Sequence, residues 1–73
     1  MLVKIIELLL NKDWGYTEKF LMEENFEPGN IPLKGDILYN GGKCYKVEER
    51  RIYLSNNADK QYFELMVKFK HYV

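Results

Sequence analysis

Hydrophobic and polar residues alternate over the last part of the chain, from Tyr62 to Val73. The apolar side of this alternation contains Phe63, Leu65, Val67, Phe69 and Val73, and the polar side contains Glu64, Lys68 and Lys70. A period of two over this length is typical of a β-strand with one buried face. The sequence therefore predicts a long strand at the carboxyl end of the chain.

The first ten residues are compatible with two structures. Lys4, Glu7 and Asn11 are spaced like the polar stripe of a helix, and the leucines between them also favour a helix. Residues 16–24 alternate like a strand, and the intervening segment 11–15 has the composition of a hairpin loop. We therefore predict a hairpin that pairs residues 2–10 with 16–24, and the alternative is an N-terminal helix.

The segment from Asn25 to Asp36 is predicted to be an irregular connector. Its Pro28-Gly29 step predicts a type II turn, because Pro presets φ and Gly accepts the positive φ that follows. Phe26, Ile31 and Leu33 supply apolar side chains along the segment. We expect them to pack across an open end of the core.

Residues 37–47 form the clearest hairpin pattern in the chain, with Gly41-Gly42 between two apolar runs. This loop places Leu38 opposite Tyr45 and Tyr39 opposite Cys44. A loop shifted by one residue would place Leu38 opposite a lysine, so the first register gives the better cross-strand pairs.

The buried side of the next strand changes parity between Val47 and Ile52. The intervening residues 48–51 contain no turn residue, so the strand is expected to continue through them. A continuous strand that changes its buried parity requires a β-bulge or a sharp bend. Long bent strands of this kind allow small barrels to close.

Five predicted strands of even spacing indicate a single all-β domain over residues 1–73, either a small antiparallel barrel or a rolled sheet. With an N-terminal helix the domain would instead be α+β. Residues 31–54 resemble the leading strand and first hairpin of SH3-like small barrels from bacteria and their phages. The matching features are the Pro-x-x-Gly-Asp step at 32–36, the Gly hairpin, and Tyr-x-Val at 45–47. The resemblance implies a barrel used for binding, without catalytic residues.

The composition narrows the possible functions. Eleven basic and eleven acidic residues give zero net charge, which argues against broad nucleic-acid binding and against a polybasic membrane anchor. One cysteine and one histidine supply neither a disulfide nor a zinc set, and no Gly-rich phosphate loop is present, so no cofactor or metal is predicted. The apolar start is too short to span a bilayer and lacks a signal-peptide cleavage site, so we expect a cytoplasmic protein.

The sequence provides little support for an enzyme. Cys44 is a candidate nucleophile only if a base lies beside it, and the single histidine, His71, is distant in the chain. A lone strand cysteine is more often a small core residue, and a histidine near the end of a strand more often borders solvent. We therefore predict that the protein is not an enzyme.

Arg50 and Arg51, beside Tyr53, are the best candidates for holding an anionic ligand, because guanidinium groups bind carboxylates and phosphates in a bidentate manner. The alternative is that these arginines form surface ion pairs with Glu48 and Glu49. Trp14, beside Tyr16 in a predicted loop tip, is expected either to cover the core or to contact a partner.

Several aromatic and apolar residues fall on the outward sides of the predicted strands. They are Tyr39, Tyr62, Met66 and Tyr72. A thin sheet cannot bury both faces by itself, and a second copy of the chain is the simplest cover, so a homo-oligomer is predicted.

These observations favour a non-enzymatic protein that occupies a partner or sequesters a ligand. Very short, neutral chains without motifs resemble phage-encoded inhibitors of host defence, which implies a protein target or a signalling nucleotide. The alternatives are a single-stranded nucleic-acid-binding barrel, which zero net charge disfavours, and an accessory subunit of a larger assembly.

Overall fold

The structure, a computed structural model, describes residues 1–73 and contains five β-strands. The strands are β1 (Leu2–Leu10), β2 (Tyr16–Asn25), β3 (Ile37–Asn40), β4 (Lys43–Tyr53) and β5 (Tyr62–Tyr72). Two three-residue 3₁₀ turns, Pro28–Asn30 and Ala58–Lys60, are the only helical segments. The all-β prediction is confirmed, and the alternative of an N-terminal helix is wrong because those residues form β1.

All five strands belong to one mixed sheet with the order β2-β1-β5-β4-β3. The prediction of a wholly antiparallel arrangement is wrong, because β1 and β5 are parallel from the pair Val3/Phe63 to the pair Glu7/Val67. Parallel neighbours require a long connection, and the three strands between β1 and β5 in the chain supply it. No Cα atom of β2 lies within 8 Å of a Cα atom of β3, so the sheet is not closed.

The predicted first hairpin is confirmed, since β1 pairs antiparallel with β2 along its length. Ile5 lies opposite Met22 and Ile6 lies opposite Phe20, so Leu21 is an extra residue in β2. Such a bulge bends the strand and increases its twist. Because β1 pairs with β5 only as far as Glu7, the rest of the hairpin (residues 8–18, here called the distal arm) extends beyond that pairing.

The glycine hairpin between β3 and β4 has the predicted register. Leu38 lies opposite Tyr45, and Tyr39 lies opposite Cys44. The loop residues Gly41 and Gly42 have φ values of 59° and 77°, which is the left-handed region that a two-residue hairpin loop requires.

The change of parity in β4 is a β-bulge, as predicted. Val47 lies opposite Val67, and the register then shifts so that Glu49 lies opposite Met66. As a result, Ile52, opposite Phe63, faces the same side of the sheet as Val47. We call this side the core face and the opposite side the outer face.

The core lies on the core face and is thin, with only 10 of the 73 residues buried. Its buried cluster consists of Val3, Ile5, Ile31, Tyr45, Val47, Leu65 and Val67. These side chains come from β1, β5 and β4 at the centre of the sheet, with Ile31 contributed by the connector. A core of this size leaves much apolar surface in contact with solvent.

The connector contributes two side chains to the core, since Ile31 belongs to the buried cluster and Phe26 packs against it. Leu33 is exposed, so the expectation that it packs on the core is wrong. The predicted type II turn is also wrong, because Gly29 has no positive φ and lies in the first 3₁₀ turn. The connector is anchored to β4 by hydrogen bonds that join the backbone of Val47 to Gly35 and Asp36.

Candidate functional site on the outer face

Two tyrosines and a lysine form a stack on the outer face. Tyr53 and Tyr62 lie opposite each other in β4 and β5, and their ring centroids are 4.7 Å apart with planes 10° from parallel. The ammonium of Lys4, on β1, lies 4.3 Å from the centroid of the Tyr62 ring. Since β5 lies between β1 and β4, Lys4 and Tyr53 cover opposite faces of that ring.

The Tyr53 hydroxyl is held by a carboxylate. It donates a hydrogen bond of 2.9 Å to Oε1 of Glu64, which lies on the neighbouring strand. This bond requires the phenolic proton, so it raises the pKa of Tyr53 above its ordinary value. The stack is therefore fixed by a directional contact as well as by ring packing.

Arg51 joins two carboxylates on the same face. Its Nη2 donates a 3.0 Å hydrogen bond to Oε2 of Glu49, and its Nη1 lies 3.7 Å from Oε1 of Glu18. The bond to Arg51 lowers the pKa of Glu49, and the same bond raises the pKa of the guanidinium. Both ion pairs are solvent-exposed, so they fix geometry more than they stabilise the fold.

The contact between Arg51 and Glu18 shows where the distal arm lies. Arg51 is on β4 and Glu18 is on β2, with β5 and β1 between them, so the arm leans over the outer face. A second contact agrees, since the Lys68 ammonium lies 4.5 Å from the centroid of the Tyr16 ring. Its proximity to the Tyr16 phenol raises the pKa of Lys68.

Met66 lies on β5 between Glu64 and Lys68, two residues from each. It points to the outer face, where the sequence predicted an apolar residue that a second copy would cover. In the structure Met66 is 0% exposed within the single chain. Its neighbours across the strands are Glu49 on β4 and Ile6 on β1. The chain therefore covers this residue with its own side chains.

The loop at the tip of the distal arm holds Trp14 in solvent. Oδ1 of Asn11 accepts hydrogen bonds from the backbone N–H groups of Asp13 and Gly15, which closes the loop. Trp14 has a φ of 64° and is 86% exposed. A left-handed backbone costs a non-glycine residue about 1–2 kcal/mol. Trp14 does not cover the core, which leaves partner contact as its predicted role.

The candidate residues predicted from the sequence do not all lie in one place. They are Trp14, Tyr16, Tyr39, Arg50, Arg51, Tyr53, Tyr62 and Tyr72. Tyr16, Arg51, Tyr53 and Tyr62 come together on the outer face, and with Lys4 and Lys68 they define what we call the outer-face site. Trp14 lies at the tip of the arm that carries Tyr16.

Arg50 faces the other way, because consecutive strand residues point to opposite faces. Its guanidinium carbon lies 4.5 Å from the centroid of the Phe63 ring on the core face. Arg50 and Arg51 therefore do not present their guanidinium groups to one ligand. Tyr39 and Tyr72 are exposed on β3 and near the end of β5, away from the stack.

Sequence reasoning did not place Lys4, Lys68 and Glu64 in a site. The alternation in the last strand assigned Glu64 and Lys68 to its polar side, which identifies their face but not their neighbours. Lys4 reaches Tyr62 only because β1 and β5 are parallel neighbours, and no local pattern specifies that pairing.

The two residues considered for nucleophilic catalysis are neighbours. Cys44 and His71 lie opposite each other in the β4–β5 pairing. However, Cys44 is buried and makes no hydrogen bond to the imidazole, and Nδ1 of His71 is 3.0 Å from the Tyr72 carbonyl oxygen. In this structure the Cys44 thiol is therefore not hydrogen-bonded to the imidazole across the strands. No group of three or more His, Cys, Asp or Glu side chains converges in a way that could hold a metal ion.

Comparisons of the chain with protein-family models, with curated proteins and with solved structures find no match. None of its helical segments has the length and apolar character needed to cross a membrane. The function is therefore inferred from the outer-face site and from Trp14.

Proposed function

We propose that the protein is a non-enzymatic binding protein that engages a protein partner through Trp14 and the outer-face site. The single observation that carries this proposal is the conformation of Trp14. A large aromatic side chain stands in solvent, on a strained backbone, in a loop that Asn11 closes. Strained residues of this kind concentrate at binding sites, and tryptophan is enriched among residues that dominate binding energy.

The surroundings of Trp14 support a protein partner. Tyr16 lies two residues away and points to the outer face, where aromatic rings, arginine and glutamates alternate. Interfaces between proteins are enriched in Tyr, Trp and Arg and carry a polar rim. A surface with both charge signs selects a complementary partner surface more readily than a uniformly charged ligand.

A nucleotide is less favoured at the outer-face site because the tyrosine rings there already carry other side chains on their faces. Lys4 and Tyr53 cover the two faces of Tyr62, and Lys68 lies over Tyr16. Base stacking needs a free ring face. A phosphate near Arg51 would also meet two carboxylates. The same geometry argues against base stacking of single-stranded nucleic acid at the outer-face site.

We further propose that the fold is an SH3-like small barrel and that the protein acts by occupying its partner. A bulged β4, a glycine hairpin and a rolled sheet with an open seam agree with an incompletely closed small barrel. Acting by occupation of a host protein, as phage-encoded inhibitors do, needs a contact surface and no catalytic residues.

The proposal is tested by affinity capture with three immobilised proteins: the wild type, Trp14→Ala and Leu54→Ala. Leu54 is a matched control, since it is also a large exposed apolar residue but lies outside the site. We expect a protein that the wild type and Leu54→Ala retain and that Trp14→Ala loses. With that partner purified, calorimetry should show a dissociation constant about tenfold or more higher for Trp14→Ala, a loss of about 1.4 kcal/mol.

Equal capture by all three proteins would contradict the role of Trp14. A thermal-shift screen with mononucleotides and cyclic dinucleotides tests the competing ligand class. A ligand present at 100 times its dissociation constant stabilises the folded state by about 2.7 kcal/mol, so a concentration-dependent rise in Tm would overturn the choice of a protein partner.

A further inference from the structure

The outer edge of β2 has no partner within the chain. The sheet ends at β2, which pairs only with β1, so one side of the ten-residue strand presents free backbone N–H and C=O groups. Strand edges of this length are templates for pairing with another chain. The edge is also partly apolar, because Phe20 is exposed and Leu21 and Met22 are only partly buried.

The space beside this edge is apolar too. A cleft of about 410 Å³ separates β2 from β3 on the core face, and nine of its eleven lining residues are hydrophobic. Leu21 and Met22 form its β2 wall, and Ile37 and Leu38 form its β3 wall. The accessible surface of the chain is 5325 Å², against about 4,800 Å² expected for a compact monomer of this mass. The excess agrees with a surface that a partner covers.

The bulge in β2 restricts how this edge can pair with itself. Lys19 lies opposite Glu7 and Glu24 lies opposite Val3, so both side chains are on the core face. In a twofold antiparallel pair, residues that lie opposite each other must share a face. Because Leu21 is an extra residue, the side chains of β2 change parity between its two faces at this point. Near the strand centre, two registers then keep opposite residues on one face. In one register Leu21 lies opposite the second copy's Phe20, and in the other it lies opposite the second copy's Met22.

Charge distinguishes these two registers. With Leu21 opposite Phe20, Glu18 lies opposite the second copy's Glu23, and the twofold axis repeats this repulsive pair. With Leu21 opposite Met22, Lys19 lies opposite the second copy's Glu24, and the axis repeats this attractive pair. Opposite charges that face each other across strands stabilise pairing, and like charges oppose it.

We propose that a second copy of the chain pairs with β2 through its own β2, antiparallel, with Lys19 opposite the partner's Glu24 and Leu21 opposite the partner's Met22. This contact joins the two sheets into one ten-stranded sheet. It brings the apolar residues beside the two clefts together at the twofold axis. The interface is separate from Trp14 and Arg51, so it does not rest on the proposed function.

Sedimentation equilibrium over a range of concentrations tests the proposal. We expect the wild type to have twice the 8.8 kDa chain mass. Lys19→Glu and Glu24→Lys each create two like-charge pairs, so each should raise the dimer dissociation constant by about tenfold or more. The double variant Lys19→Glu/Glu24→Lys restores the attraction with the charges exchanged, so it should recover the wild-type constant. Lys60→Glu, in the second 3₁₀ turn, is the control and should leave the constant unchanged.

Three results would overturn the proposal: a monomeric wild type at every concentration, single variants that dimerise like the wild type, or a double variant that stays dissociated. Since Lys19 lies opposite Glu7, circular dichroism must first show that Lys19→Glu is folded. If it is not, Glu24→Lys keeps the test decisive, because the residue opposite Glu24 is the uncharged Val3. Trp14→Ala should leave the dimer intact.

Discussion

Tyr53 and Tyr62 stack directly across β4 and β5, with ring centroids 4.7 Å apart. The stack is closed on one side by Lys4 and tied to the strand by the Tyr53–Glu64 hydrogen bond. Ionisation of the Tyr53 hydroxyl therefore reports on whether the outer-face site is assembled.

The Tyr53 hydroxyl should ionise at a higher pH than an unperturbed tyrosine, because Glu64 accepts its proton and raises its pKa. The raised value means that this bond stabilises the fold fully below the ordinary tyrosine pKa and that the stabilisation is lost as pH rises through the folded-state pKa. Tyrosinate absorbance should therefore show a late ionisation step that Tyr53→Phe removes. Tyr39→Phe, at an exposed tyrosine away from the site, should retain it. A late step that survives Tyr53→Phe would show that the bond is not formed.

Trp14→Gly should leave the free energy of unfolding unchanged or raise it by up to about 1.5 kcal/mol. Glycine relieves the left-handed backbone, a gain of about 1–2 kcal/mol, while its freedom in the unfolded chain offsets about 0.5–1 kcal/mol. The measurement is urea denaturation followed by circular dichroism. Asn11→Ala, which removes the acceptor that closes the loop, should be destabilising. A loss of several kcal/mol in Trp14→Gly would mean that the side chain has a structural role.

The features that the sequence predicted correctly are those encoded within a few consecutive residues. The parity change between Val47 and Ile52 shows directly as a bulge, because alternation along one strand is fixed by that strand alone. The loop at Gly41-Gly42 is equally local, since its residues accept the positive φ that the hairpin needs. Both predictions depend on backbone geometry and not on distant contacts.

The features that were not predicted depend on which strands become neighbours. Lys4 lies against Tyr62 because β1 and β5 are parallel, although almost the whole chain separates them. Similarly, Glu18 on β2 reaches Arg51 on β4 across β1 and β5. Alternation assigns each residue to a face, but it does not determine the order of the strands, so Lys4 and Lys68 were not predicted to belong to the outer-face site.

Arg51→Ala should loosen the distal arm with little effect on global stability. The ion pairs of Arg51 are exposed, and exposed pairs contribute about 0–1 kcal/mol. Hydrogen exchange of the backbone amides in residues 16–18 should become faster, while amides near Val47 keep their protection. Lys46→Ala, on the same strand, is a control that should leave the arm unchanged. Identical exchange of the arm in wild type and Arg51→Ala would contradict the inferred position of the arm.

Met66→Ala should destabilise the protein by about 2–5 kcal/mol, as expected for a fully buried methionine whose removal leaves a cavity. The result shows whether Met66 is buried by its own chain or would be buried only by a partner, since truncating an exposed apolar side chain costs little stability. Urea denaturation of Met66→Ala, measured below the concentration at which the chain self-associates, gives the change in the free energy of unfolding.

Leu54→Ala, at an exposed leucine, should change the free energy of unfolding by no more than about 0.5 kcal/mol. Met66→Leu preserves most of the volume and should cost less than about 1.5 kcal/mol. If Met66→Ala were as stable as Leu54→Ala in the monomer, the chain's own side chains would not cover Met66, and the outer face would be open to a partner at this position.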